Sequence, residues 1–303
     1  MKKIIIAFAI IVIGISFYFL LNTLRKSAEL NQNQNTTTSV GEKNKTEEAQ
    51  PKEQKKTEQV IGKSVQGRDI TAYYYGSGDR EILFILGIHG GYAWNTALLA
   101  YNIMDYLKEN PNAIPDNIRV AVIPALNPDG LSKVVGTTGR FSTTDVSSSQ
   151  DVQVSGRFNG NLVDINRNFD CNWKKTGIWQ NKSVSGGNSP FSEPESSAVR
   201  DYVKDHKPTA VVAWYSAAGG VFSSNCNNGI LPETQVITDI FAKASGYLAY
   251  ESFDFYELSG DMTNWLAKDK IPAISILLSN HKDIEWDKNL AGIKALFEYY
   301  AGK

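Results

Sequence analysis

An excess of charge of either sign is missing from this chain of 303 residues, in which 31 lysines and arginines stand against 32 aspartates and glutamates. A nucleic-acid surface needs a basic stripe with aromatic side chains interleaved. None is present, so no nucleic-acid partner is expected. Cysteine is scarce, with Cys171 and Cys226 the only two. In a domain placed outside the membrane they form either one disulfide or two unrelated buried thiols, and the sequence leaves both open. Histidine occurs three times, at positions 89, 206 and 281, and no carboxylate lies between Glu81 and Asp105. No internal repeat is present. Apolar content of 42% is nevertheless enough for a sizeable core.

The one long apolar run, Ile4–Leu21, is interrupted by Gly14, Ser16 and Tyr18. As a helix it spans roughly 27 Å at ~1.5 Å per residue, nearly a bilayer core. It ends Leu-Leu-Asn-Thr-Leu-Arg-Lys, without the small-x-small site of a cleaved signal peptide. Residues 1–26 are therefore expected to be a transmembrane anchor, with a cleaved signal peptide and secretion as the alternative. The default orientation places the bulk of the chain outside the cytoplasm. Residues 27–58 mix both charge signs with almost no apolar side chains and read as a disordered tether. The folded domain is expected over 59–303.

Within that domain short apolar runs alternate with amphipathic segments. Asp69–Tyr75, Glu81–Ile88, Ile118–Ala125, Thr209–Tyr215 and Ala273–Leu278 read as strands. Helices are expected at Trp94–Leu107, from a capping-box pattern at Ser192–Glu195 to His206, at Thr234–Ala244 and at Leu290–Tyr300. Asn127-Pro128-Asp129-Gly130 reads as a turn, followed by a long polar excursion to about Gly160. This pattern predicts an α/β fold, a sheet flanked by helices with functional residues at strand ends. His89 is the clearest candidate, since the run Ile82–Leu86 delivers it into a Gly-Gly turn just before a helix.

Four segments in order resemble the zinc carboxypeptidases of carboxypeptidase A type: Ile61–Arg68 (IGKSVQGR), His89 with a Trp a few residues on, Asn127–Gly130, and Asp164–Asp170 (DINRNFD). A fifth, Tyr256–Trp265, is similar to the family's mobile tyrosine loop. The resemblance covers 61–303 and implies a central mixed, largely parallel twisted sheet flanked by helices. It also implies a zinc held by two histidines and a glutamate, a second glutamate as base, and a clamp for the substrate's terminal carboxylate. The clamp is matched by Asn166, Arg167 and Tyr256, with Arg140 or Arg157 as the additional arginine and Thr263, beside Asp261, at the specificity position.

The metal half departs from the family. Tyr92 and Ala93 occupy both candidate places for the ligand glutamate, Ala93 directly before the Trp. The second histidine is replaced by Tyr215, and Leu277 stands where the base is expected. His89 is left as the residual ligand, and rescue through His281 or Tyr215 is the minor alternative, because a phenol with an ordinary pKa near ~10 lies outside zinc's usual donor set. Zinc is accordingly not expected to bind. The apolar run, the resemblance and these departures together lead to the expectation of a membrane-tethered, catalytically inactive relative that keeps a pocket for peptide C-termini, with cell-wall peptides among the ligands an extracytoplasmic placement suggests. The alternatives are an active zinc carboxypeptidase with unrecognised ligands and a structural module with a vestigial cleft.

Overall fold

The computed structural model describes residues 56–303; the apolar run at 4–21 and the tether up to residue 55 lie outside them. Among the described residues no helix is long and apolar enough to cross a membrane. The chain begins with strands β1 (Glu58–Lys63), β2 (Asp69–Gly76) and β3 (Arg80–Ile85), then α1 (Trp94–Glu109) and β4 (Ile118–Ile123). Two short helices, α2 (Pro128–Val135) and α3 (Gln150–Ser155), and a small hairpin, β5 (Thr176–Trp179) with β6 (Lys182–Ser185), occupy the polar middle. Next come α4 (Pro194–His206), β7 (Ala210–Ser216), β8 (Gly220–Ser223), α5 (Pro232–Ser245) and β9 (Ala249–Tyr250). Helix α6 (Met262–Lys268), strand β10 (Ala273–Leu278) and helix α7 (Trp286–Ala301) complete the chain.

Eight strands form one sheet in the order β1-β2-β4-β3-β7-β10-β8-β9. Its centre, β4-β3-β7-β10, is parallel, whereas the β1/β2, β2/β4 and β10/β8 pairs are antiparallel. Within that parallel centre β7 and β10 are buried at every position, as expected where helices cover both faces of a parallel sheet. Side chains alternate between the faces. Phe84, Val212, Trp214 and Ile276 pack with Leu99, Phe241 and Phe297 from α1, α5 and α7. Leu83, Val211, Tyr215 and Leu277 point the other way, toward Val199, Tyr202 and Trp265 from α4 and α6. This second face carries the candidate site.

Two local expectations change. Asn127–Gly130 is not a free turn but the start of α2: the Asn127 side chain accepts from the Gly130 N–H at 2.9 Å, with Pro128 in the first turn. Asn followed by Pro suits a turn and a helix start equally, and here the helix continues. At α4, Glu193 is the cap residue but makes no capping bond. Its carboxylate instead receives Asn159, Asn161 and Ser192. Cys171 and Cys226 are joined as a disulfide.

Candidate functional site

The C-terminal ends of β3, β7 and β10 converge on a cleft of about 720 Å3 that includes His89, Tyr215 and Leu277. In open α/β sheets this edge is where ligands bind. Beyond β3 the chain turns through Gly87 into a short 3-10 turn, Gly90–Ala93, with His89 at its start. Gly90 has a φ of +46°, and a Cβ there meets Gly156 O at 2.5 Å and Gly130 Cα at 2.9 Å. Only glycine fits this approach. His89 is 6% exposed, and among the described residues neither ring nitrogen has a hydrogen-bond partner. Asp164 Oδ1 lies 3.7 Å from Nε2. Burial, and then the Arg157 cation, push the His89 pKa well below its usual value, so the ring is neutral at pH 7.

One segment builds the opposite wall. Asp164 accepts from Arg157 through Oδ2, at 3.0 Å from Nε and 2.7 Å from Nη2, and from the Asn166 N–H through Oδ1. Burial works against its ionisation, but Arg157 and Arg167 outweigh it and hold the pKa down at about 2. Asn166 donates to Asp261 Oδ2 at 2.8 Å and accepts from the Met262 N–H. Arg167, 1% exposed, is gripped from behind: Nε and Nη2 donate to Ile178 O at 3.2 and 2.8 Å, and Nη1 to Asn166 O at 2.8 Å. A guanidinium has five N–H donors, so two remain. Among the described residues no carboxylate lies within ion-pair distance of Arg167. The Tyr256 ring lies 5.8 Å from its Cζ.

The donor set around His89 does not fit zinc. In a 3-10 turn side chains at i and i+3 lie above one another, so the residue that shares the cleft with His89 is Tyr92; Ala93, 1% exposed, is buried outside it. On this geometry Tyr92, three residues after His89, and not Ala93 is the place expected for a ligand glutamate. Tyr92 packs edge-on against Trp179 at 4.9 Å and against His281 at 4.4 Å. Tyr215 lies 5.5 Å from the His89 ring and is buried, and burial followed by the Asp261 charge pushes its phenol well above the usual range. Both tyrosines are neutral. Leu277, in register beside Tyr215, brings no carboxylate. Among the described residues no three His, Cys, Asp or Glu side chains are grouped to hold a metal.

The remaining expected residues divide. Asn166, Arg167, Tyr256, Thr263 and Asp261 all line the cleft, and Thr263 Oγ1 sits 3.0 Å from Ser275 Oγ and 2.9 Å from Asp261 Oδ1. Arg140 does not: it faces solvent in a bidentate pair with Asp105 at 2.7 and 2.8 Å, in a separate hollow of about 300 Å3. Arg157, the alternative, lines the cleft together with Arg167. It is 1% exposed, with its Cζ 4.5 Å from the Trp179 ring and 5.7 Å from that of Tyr92. His281 also lines the cleft; burial, then Arg157, lower its pKa to about 4. Trp179, on the four-residue strand β5, had no periodic signal to reveal it.

The family model for zinc carboxypeptidase matches residues 44–286. Among curated proteins, a gamma-D-glutamyl-L-diamino acid endopeptidase of Lysinibacillus sphaericus is 22% identical over 228 residues, 69% of this chain and 57% of the relative. Carboxypeptidase M of Mus musculus is 27% identical over 157 residues, 48% of this chain and 30% of the relative. The chain thus spans little more than half of the first relative and less of the second. Among solved structures, a carboxypeptidase A from Helicoverpa armigera superposes with a TM-score of 0.61 at 20% identity, covering 81% of this chain and 67% of that one. The murein-tripeptide amidase MpaA from Escherichia coli O157 gives 0.55 at 19%, covering 80% and 92%. At these identities the structures speak for the fold alone.

Proposed function

The chain belongs to the zinc carboxypeptidase family, and from that premise we propose that it is a member without hydrolytic chemistry whose cleft binds the C-terminal carboxylate of peptides. The observation that carries this reading is Arg167: a buried guanidinium fixed by two backbone carbonyls, lacking a carboxylate of its own, with two N–H donors left for the cleft. A planar fork of this kind suits a carboxylate. Asn166 and Tyr256 stand beside it. Against hydrolysis stand Tyr92, Tyr215 and Leu277, which supply neither the two missing ligands nor a base.

The names of two relatives, a gamma-D-glutamyl-L-diamino acid endopeptidase and a murein-tripeptide amidase, make cell-wall peptides the ligand class to try first. The N-terminal apolar run supports a membrane-anchored protein with this domain outside the cytoplasm, where cell-wall peptides occur. One observation favours an active enzyme instead, the pair of unpartnered nitrogens on His89. Zinc analysis separates the two readings.

The test uses the full-length chain. Calorimetry compares peptides with a free C-terminus and the same peptides amidated. A charge-assisted hydrogen bond contributes ~1.5–3 kcal/mol, so amidation is expected to weaken binding roughly tenfold or more. Arg167→Ala is expected to erase the difference, and Tyr256→Phe to reduce it in part. Equal affinity for acid and amide refutes the pocket; about one zinc per chain with chelator-sensitive hydrolysis refutes the inactive reading.

A further inference from the structure

A single terminal carboxylate uses one arginine, and the cleft offers two. Arg157 is as deeply buried as Arg167. Only its Nε and one Nη2 hydrogen are engaged, both by Asp164 Oδ2, which leaves three of its five donors. The Trp179 and Tyr92 rings lie against the guanidinium, 4.5 and 5.7 Å from its Cζ. Around it stand more unmet hydrogen-bonding groups: both nitrogens of His89 and Nδ1 of His281, all buried and without partners. His89, Arg157 and His281 line the same cleft as Arg167.

Buried polar groups are rarely left without partners, and where several converge on a cleft a ligand commonly completes them. Donors gathered on a guanidinium call for an anion, and the divalent cation of the family is replaced here by a surface of opposite preference. We propose that Arg157, His89 and His281 form a second carboxylate subsite, so that the ligand is a peptide with two free carboxylates near its C-terminal end. Arg167 receives the terminal one. The other belongs to the preceding residue, which keeps its own α-carboxylate when it is joined to the last residue through its side-chain carboxyl, as in a γ-glutamyl linkage. An α-linked peptide presents only a neutral carbonyl at that place. This inference rests on the C-terminal carboxylate reading, and its test separates the two.

Four ligands are titrated calorimetrically into the full-length chain: N-acetyl-γ-glutamyl-alanine, its glutamyl α-amide, its alanine C-terminal amide, and the α-linked N-acetyl-α-glutamyl-alanine. The γ-linked diacid is expected to bind roughly tenfold or more tightly than either amide, the loss of one charge-assisted contact each, and more tightly than the α-linked isomer of equal charge. Arg157→Lys keeps a cation against Asp164 but removes the fork; it is expected to shrink the glutamyl-amide penalty while leaving the C-terminal-amide penalty in place. His281→Ala is expected to act in the same direction, more weakly, and serves should the Arg157 variant not fold. Equal affinity of diacid and glutamyl α-amide, with the C-terminal amide still weaker, overturns the second subsite and spares the first. Equal affinity of all four overturns both.

Discussion

Rebuilding the metal site by substitution tests both the identification of the lost positions and the geometry of the turn that carries them. In the unmodified chain His89 is alone. Structural zinc in a full ligand set is worth ~10–16 kcal/mol, and even an outer partner's loss weakens binding ~10–100-fold. A single imidazole beside the cations Arg157 and Arg167 is therefore expected to hold no zinc at micromolar concentration. Tyr92→Glu with Tyr215→His restores two histidines and one glutamate, a donor set that zinc accepts, and the new carboxylate offsets the nearby positive charge. Elemental analysis after dialysis against micromolar zinc is expected to give about one zinc per chain for this double variant and none for the parent. The control is Ala93→Glu with Tyr215→His. Because Ala93 is 1% exposed and outside the cleft, its glutamate is buried without reaching His89, and zinc is expected to stay absent. Peptide hydrolysis is expected only when Leu277→Glu is added to the zinc-binding variant, since a missing general base costs ~10²–10⁴ in rate. Zinc in the parent, or equal zinc in the two double variants, refutes the reasoning.

Other outcomes follow from the same groups. His281, whose pKa burial lowers to about 4, and His89, which burial holds well below its usual value, both ionise in the unfolded chain near the ordinary value of ~6.5. Their contribution to stability is therefore complete above about pH 6.5 and is lost as the pH falls toward 4, because the unfolded state takes up the protons first; urea midpoints measured across this interval are expected to fall and to do so less in His281→Phe, and a flat profile refutes it. The Cys171–Cys226 bridge, between residues 55 apart, restrains the unfolded chain by roughly 2–4 kcal/mol. Replacing both cysteines by serine is expected to lower the urea midpoint accordingly, and an unchanged midpoint argues that the bridge carries no such restraint.

The parts of the fold that could be read from sequence were those with a strong period. β3 from Ile82 onward, β7 and β10 are mostly apolar because helices cover both of their faces, and that texture is visible in one dimension. Asn166 and Arg167 were legible through the local motif around them. The choice between Arg140 and Arg157 was not, because both lie in the polar stretch between Gly130 and Asp164, where no period fixes direction; Asp105, from α1, decides it by holding Arg140 at the surface. Ala93 and Tyr92 differ by one residue, and only the 3-10 turn, with its three-residue repeat, selects Tyr92. The hairpin bearing Trp179 and Ile178 consists of two four-residue strands, too short for alternation to register. Yet its Ile178 carbonyl holds Arg167 in place.

That restraint has a cost that a bound carboxylate is expected to relieve. A charge moved out of water loses several kcal/mol of hydration, and Arg167 recovers only part of it through Ile178 O and Asn166 O, with no carboxylate in ion-pair contact among the described residues. On the proposed reading a ligand carboxylate completes the coordination, so it is expected to bind the folded chain and not the unfolded one. At a ligand concentration of 100 times Kd the stabilisation is ~2.7 kcal/mol. Since ~1 kcal/mol moves the midpoint of a domain of this size by roughly 2–4 °C, the free-acid peptide is expected to raise the Tm by roughly 5–10 °C. An amide that binds tenfold more weakly stabilises by only ~1.4 kcal/mol at the same concentration, about half that shift. In Arg167→Ala the acid and amide forms are expected to shift the midpoint equally and little. Scanning fluorimetry at matched concentrations measures all three, and equal shifts by acid and amide in the unmodified chain mean that Arg167 receives no carboxylate.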